Sequence, residues 1–130
     1  MYHLTEETLR HRPSFQMTIR LAKEDAELNG QVISKGQVVL AMIGSANREE
    51  SKFCNADVFD IHRHPNPHLA LGQGIHFCLR APLVHLEAKN ALAALLKRYS
   101  TIEYQEPFTL YPSENSAVYG LRSLPLRVSK

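Results

Sequence analysis

Leu71-Gly72-Gln73-Gly74-Ile75-His76-Phe77-Cys78-Leu79-Arg80-Ala81-Pro82 places two glycines, a histidine and a cysteine directly ahead of a helical pattern. Glycine has no Cβ, so Gly72 and Gly74 allow tight turning or close approach of the backbone to a flat ligand. Val84, Ala88, Ala91, Leu92, Leu95, Leu96 and Tyr99 then recur at three- and four-residue steps, which predicts a helix over 79–99. Pro82 suits its first turn, where a missing N–H costs nothing. Cys78 therefore stands at a helix N-terminus, where free amide donors and the positive end of the dipole favour a thiolate. That is the chemistry of a metal ligand or a nucleophile. The competing reading is a structural cysteine in a glycine-rich turn.

Outward from this loop the chain divides into short, recognisable pieces. Residues 4–11 predict a helix that ends ahead of Pro13, because the residue before proline is pushed out of the α region. Glu7 and Arg10 share one face of it. Phe15 to Leu21 alternates as a strand. Two further strands, 26–32 and 37–42, are punctuated by Asn29-Gly30 and Lys35-Gly36, and Asn-Gly between strand residues is a hairpin signal. Ser45 to Glu50 predicts a short helix opened by a serine cap. Residues 53–69 are rich in Asn, Asp, Pro and His without periodicity, and a loop that long in a compact domain is usually functional. The tail, 101–128, contains short apolar runs broken by Pro107, Pro112, Gly120 and Pro125.

Together these motifs resemble the cytochromes P450, whose ligand loop has the pattern Phe-Gly-x-Gly-x-His/Arg-x-Cys-x-Gly. Leu71 stands here in place of the aromatic and Arg80 in place of the last glycine. Glu7-Thr8-Leu9-Arg10 is similar to the family's Glu-x-x-Arg motif, and Phe59-Asp60-Ile61-His62-Arg63 to its meander. The resemblance implies an α+β fragment of the mainly-α P450 fold, with a short helix (4–11), a small β-sheet (15–42), a meander (53–69), a cysteine ligand loop (71–80), a long helix (79–99) and terminal strands (101–128). It implies haem b, iron protoporphyrin IX, as cofactor. Cys78 is then the axial iron ligand, Gly72 and Gly74 allow the haem's approach, and Arg20 and His76 meet its propionates. Glu7, Arg10 and Arg63 form a buried structural cluster. A cysteine thiolate gives electron density to haem iron and favours O–O cleavage, and the family reaction inserts one oxygen atom of O₂ into an organic substrate. Partners implied are a small organic substrate and a redox partner.

The resemblance is to only the last third or so of the family's chain. No Ala/Gly-Gly-x-Asp/Glu-Thr stretch, the family's oxygen-activating helix signature, occurs in the 130 residues. The expectation is a truncated P450 that is not competent alone. Its alternative is a non-enzymatic remnant or split-gene product with weak or no haem binding. A zinc site is the rival for the loop chemistry, since His62, His64, His68, His76 and Cys78 are all zinc ligand types. Their spacings match no zinc module, and the histidines other than His76 are expected on the loop surface. Composition narrows the rest. Fifteen basic against thirteen acidic residues gives a net +2, too mild for nucleic acid or membrane binding. Two cysteines make no disulfide framework and fit a reducing cytoplasm. A domain of this length is expected to bury about two-thirds of its unfolded surface.

Overall fold

A computed structural model describes residues 1–105, 118–121 and 123–130. Helix α1, Tyr2–His11, ends as Arg12 leaves the helical region at φ −139° ahead of Pro13. Strand β1, Thr18–Leu21, pairs antiparallel with β4, Val38–Ala41, placing Thr18 opposite Ala41 and Leu21 opposite Val38. Nested between them, β2, Ala26–Leu28, pairs with β3, Gln31–Ile33. Asn29 and Gly30 close that hairpin at φ 49° and 77°, the left-handed values a two-residue turn of this twist requires.

Helix α2, Ile43–Ala46, is a single turn that begins two residues before Ser45. The serine-capped helix expected over 45–50 is not formed. The amide of Gly44 donates to Gln16 O at 3.0 Å, which winds the chain as soon as β4 ends. The meander follows without helix or strand, and α3, Ala81–Arg98, carries Pro82 in its first turn. Strand β5, Thr101–Tyr104, pairs antiparallel with β6, Leu126–Ser129. Phe15 also bridges to Val118. Residues 106–117 and 122 of the expected terminal-strand region, with Pro107 and Pro112, lie outside the described residues.

Among the described residues the largest fully buried side chains are Arg10, Glu7 and Asn47, while the buried apolar ones are Phe53, Ala56 and Ala81. The centre is thus ionic. Both oxygens of Glu7 are held by Arg10, from Nε at 2.8 Å and Nη2 at 2.7 Å. The Asp60 amide adds a third donor at 2.9 Å and Asn66 Nδ2 a fourth at 3.1 Å. Arg63 Nε lies 3.3 Å away. The remaining N–H groups of Arg10 donate to the carbonyls of Asn47, Ala56 and Val58, so its whole fork is satisfied. Its guanidinium also lies 5.3 Å from the centre of the Phe53 ring. Arg63 ties down the carbonyls of Cys54, Asn55 and Val58. One carboxylate and two guanidiniums therefore replace the apolar plug that would otherwise join α1 to the meander.

The expected burial of two-thirds is not reached. The chain exposes 10171 Å², where a compact monomer of its mass exposes about 6,900 Å², so about half of the unfolded surface is buried. The shortfall is apolar. Ile19, Leu21, Val38 and Leu40 on β1 and β4, and Leu86 and Leu96 on α3, are each more than half exposed. A sheet of two strands that no helix or second sheet covers among the described residues leaves its faces exposed there.

Glu7 sets an acid limit on this arrangement. Burial pushes its carboxyl up, but the hydrogen bond from Arg10, the Asp60 amide, the Arg10 charge and Arg63 together bring it from 4.5 down to about 2. Because the folded value is the lower one, the stabilisation is complete above pH 4.5 and is lost as pH falls towards 2. A drop from 4.5 to about 2 is worth roughly 3 kcal/mol. Thermal midpoints measured from pH 7 to pH 2 are expected to fall mainly below pH 4.5. Glu7→Gln is expected to be less stable at pH 7 and to have a flatter acid limb.

Candidate functional site

The cysteine loop is a backbone construction. Gly72 has φ 75° and Gly74 φ 66°, values that an L side chain occupies only under strain. A Cβ on Gly72 would lie 3.0 Å from the carbonyl oxygen of His76, whereas one on Gly74 would meet nothing within 4 Å. Gly74–His76 forms one 3₁₀ turn, and the Phe77 amide donates to Gly74 O at 3.0 Å. The Cys78 amide then donates to Leu71 O at 2.8 Å and closes the loop on itself. Cys78 O in turn accepts from the Ala81 amide at 3.1 Å, so the half-buried cysteine is tied by its own backbone to the first turn of α3.

Beside this loop lies an open pocket of about 690 Å³, walled by Phe15, Met17 and Ile19 on one side and Leu71, Gly72 and His76 on the other. Its volume is in the range of small-molecule sites, about 300–1,000 Å³. Arg20 of β1 also lines it. The Nη1 of Arg20 is steadied by Thr18 Oγ1 and Ile19 O, both at 2.8 Å, and the side chain forms no ion pair among the described residues. Arg20, Gly72 and His76 thus meet at one cavity. Cys78 is not on that wall but two residues beyond His76, and Gly74 is likewise off it. Glu7, Arg10 and Arg63 meet at the separate ionic centre behind the meander.

An apolar cavity with two basic side chains on its wall, the second of them two residues before Cys78 in the same loop, fits a flat apolar macrocycle bearing carboxylates. That donor set suits haem. Arg80, standing where the resemblance has glycine, is exposed at φ −92° as the N-cap of α3. This backbone does not require glycine.

Sequence reasoning missed part of the architecture. Asn47, fully buried, accepts from the Leu69 amide at 2.8 Å through Oδ1, and Asn66 joins Glu7, yet in sequence Asn47 reads as part of the short helix expected over 45–50 and Asn66 as an ordinary loop residue. His62 and His64 are exposed, but the side chain of His68, expected on the surface, is 5% exposed and 3.4 Å from Glu6. His85, unremarked within the α3 pattern, lies 2.5 Å from the same carboxylate. Only a histidine among half-buried helix positions signals it in sequence.

The comparisons with known proteins agree on one family. The family model described as Cytochrome P450 matches residues 3–126. The putative cytochrome P450 YjiB of Bacillus subtilis is 47% identical over 98% of this chain and 32% of its own length. Cytochrome P450 119 of Sulfurisphaera tokodaii is 42% identical over 96% of this chain and 33% of its own. Among solved structures, CYP109E1 from Bacillus megaterium in complex with testosterone superposes with TM-score 0.92 at 43% identity, covering 98% of this chain and 35% of that one. P450BioI in complex with acyl carrier protein bearing hexadec-9Z-enoic acid gives 0.91 at 39%, with 98% and 34% covered. The chain spans about a third of the length of the relatives it matches.

The loop geometry separates its two left-handed glycines. Gly72→Ala adds a Cβ against the fixed His76 carbonyl on top of a backbone strain of about 1–2 kcal/mol, whereas Gly74→Ala adds the strain alone. Denaturant unfolding is expected to find Gly72→Ala clearly the more damaging. Equal costs would show that the carbonyl contact does not constrain the loop.

Proposed function

This chain belongs to the cytochrome P450 family, and we propose that it forms the proximal, ligand-bearing wall of a haem-thiolate monooxygenase. The observation that carries the proposal is the apolar pocket with Arg20 and His76 on its wall beside the glycine loop of Cys78. Haem bound there supplies iron-centred oxygen chemistry, in which one atom of O₂ passes to an organic substrate.

The chain's own residues have defined tasks in this reading. Cys78 holds the iron through its sulfur. Gly72 and Gly74 leave no side chain between the loop and the macrocycle. Arg20 and His76 hold the propionates, and an Arg–carboxylate pair is the stronger where both nitrogens engage. Phe15, Met17, Ile19 and Leu71 line that edge, and a macrocycle seated on them would displace water there, which would strengthen the charged contacts at its rim. Glu7, Arg10 and Arg63 keep the meander, and with it the start of the loop, against α1.

The cofactor is proposed to be haem b, with a small apolar organic substrate and an electron-donating partner completing the reaction. The testosterone and fatty-acyl carrier complexes of the two structural relatives support an apolar substrate. A reducing, cytoplasmic setting is proposed on the two free cysteines, one of them exposed. Among the described residues no helix is long and apolar enough to cross a membrane.

The 130-residue chain by itself is proposed not to couple reductant use to hydroxylation. Ile75, Phe77 and Leu79 around Cys78 are exposed at 96%, 51% and 98%, and an iron site open to water loses the dry surroundings that make electrostatic stabilisation effective. A positioned proton donor is worth roughly 10²–10⁴-fold, and the family's acid–threonine stretch does not occur in these residues. The same exposure favours a second reading, a non-enzymatic chain that binds haem weakly or not at all.

Haemin titration of the full chain, followed by absorbance, tests the site. Arg20→Gln and His76→Gln are each expected to weaken binding about tenfold, the order of one charge-assisted hydrogen bond. Unchanged affinity in both variants would contradict the propionate assignment, and no binding by the parent chain would favour the second reading. With haemin, reductant and a donor supplied, hydrogen peroxide without product is the expected outcome. Coupled, stereoselective hydroxylation by the chain alone would contradict the claim.

A further inference from the structure

We propose that Glu6 is a positioning residue for the Cys78 loop, holding both flanks of that loop through two histidines kept in different protonation states. The inference rests on the reading of Cys78 as the iron ligand. Glu6 lies on α1, its side chain 16% exposed. Its Oε1 is 2.5 Å from His85 Nε2, and its Oε2 is 3.4 Å from His68 Nε2. His68 belongs to the meander immediately before Leu71, and His85 to the opening of α3 immediately after Arg80. One carboxylate therefore lies against both sides of the loop, hydrogen-bonded to His85 and in contact with the buried His68 Nε2, which has no other partner among the described residues.

Hydrogen-bond directions assign the protons. His85 Nδ1 is 2.7 Å from the carbonyl oxygen of Ala81. A carbonyl only accepts, so Nδ1 donates. Nε2 faces a carboxylate oxygen, which also only accepts, so Nε2 donates as well. His85 is thus an imidazolium paired with Glu6, and the ring of Tyr2 stacks on it at 5.5 Å. His68 is the opposite case. The Ala70 amide donates to its Nδ1 at 3.3 Å, so that nitrogen carries no proton and the ring is neutral with its proton on Nε2. Burial, the larger effect, holds His68 below the ordinary histidine range against the pull of Glu6.

The charged and titratable groups facing this pair come from every element packed there: Tyr2 and Glu6 from α1, His68 from the meander and Lys89 from α3 itself. Lys89 shares with His85 a small cleft of about 260 Å³. The clamp consequently has a limit on the acid side. As pH falls and His68 gains a proton on Nδ1, that proton meets the Ala70 amide and the meander side is released. An arginine at position 85 would keep a charged donor facing Glu6.

The test uses the full chain labelled with ¹⁵N-histidine. At pH 7 the ring spectra are expected to show His85 protonated on both nitrogens and His68 as the neutral Nε2–H tautomer. The Cys78 amide, which donates to Leu71 O at 2.8 Å, reports loop closure by its hydrogen-exchange protection factor. That factor is expected to drop about tenfold in Glu6→Gln at pH 7, the order of one lost charge-assisted hydrogen bond. His85→Gln is expected to show the same drop, and His85→Arg is not. Neutral His85 at pH 7, doubly protonated His68, or equal Cys78 protection in the parent and His85→Gln would each overturn the proposal. None of these outcomes needs Glu6→Gln to fold. Nor do they need haem, so failure of haemin to bind counts against Cys78 as iron ligand and leaves the clamp to these spectra.

Discussion

A carboxylate with no exposed surface, gripped by one guanidinium through both oxygens and approached by a second, joins the first helix of this chain to its longest irregular segment. Without Glu7, Arg10 would stand fully buried with a net charge, a state that costs about 3–5 kcal/mol when one partner of such a pair is removed. With it, every N–H of Arg10 and three carbonyls of the meander and its approach are satisfied. A segment without helix or strand has few backbone partners of its own. Here two arginine side chains supply them, and the meander takes a defined path because of it.

That path determines where the cysteine stands. The meander hands the chain to Leu69, whose amide is pinned by the buried Asn47, and Leu71, whose carbonyl receives the Cys78 amide. Asn47 in turn offers its own carbonyl to Arg10. Hydrogen bonds therefore run from Glu7 through Arg10 and Asn47 to Leu69, two residues along the backbone from the Leu71 carbonyl that holds the Cys78 amide. The apolar surfaces contribute differently. Strands β1 and β4 and the outer side of α3 leave large hydrophobic side chains in contact with water, so the specificity of this fold lies in its polar centre. Polar networks of this kind hold one arrangement when fully satisfied and fail when half satisfied.

Much of this was legible in sequence because it rests on local rules. Asn29-Gly30 fixed the β2–β3 hairpin through backbone handedness, Pro13 ended α1, and the period of Val84, Ala88, Leu92 and Leu95 drew α3. Glu7 and Arg10, three apart on a helix, had to share a face. What sequence could not give was contact between distant loops. Asn47, Asn66, His68 and His85 acquire their roles from partners 22 to 79 positions away, and no periodicity encodes such pairings. The serine cap expected at Ser45 is not formed; the helical turn begins at Ile43, beside a backbone bond from the Gly44 amide to the distant Gln16 carbonyl. Arg80 departs from the glycine of the linear pattern, and its backbone and exposure show a residue free to reach solvent.

The central claim is that this scaffold presents Cys78, and not Cys54, as the thiolate for haem iron. Both cysteines are free, but Cys54 is exposed and its carbonyl is engaged by Arg63 within the meander. The most direct measurement is the spectrum of the reduced, carbon monoxide-bound chain after loading with haemin, taken for Cys78→Ser beside Cys54→Ser. The account predicts that the red-shifted Soret band of a thiolate-ligated iron survives in Cys54→Ser and disappears in Cys78→Ser. Loss of that band in Cys54→Ser with its retention in Cys78→Ser, or its absence from the haemin-loaded parent chain, would contradict it.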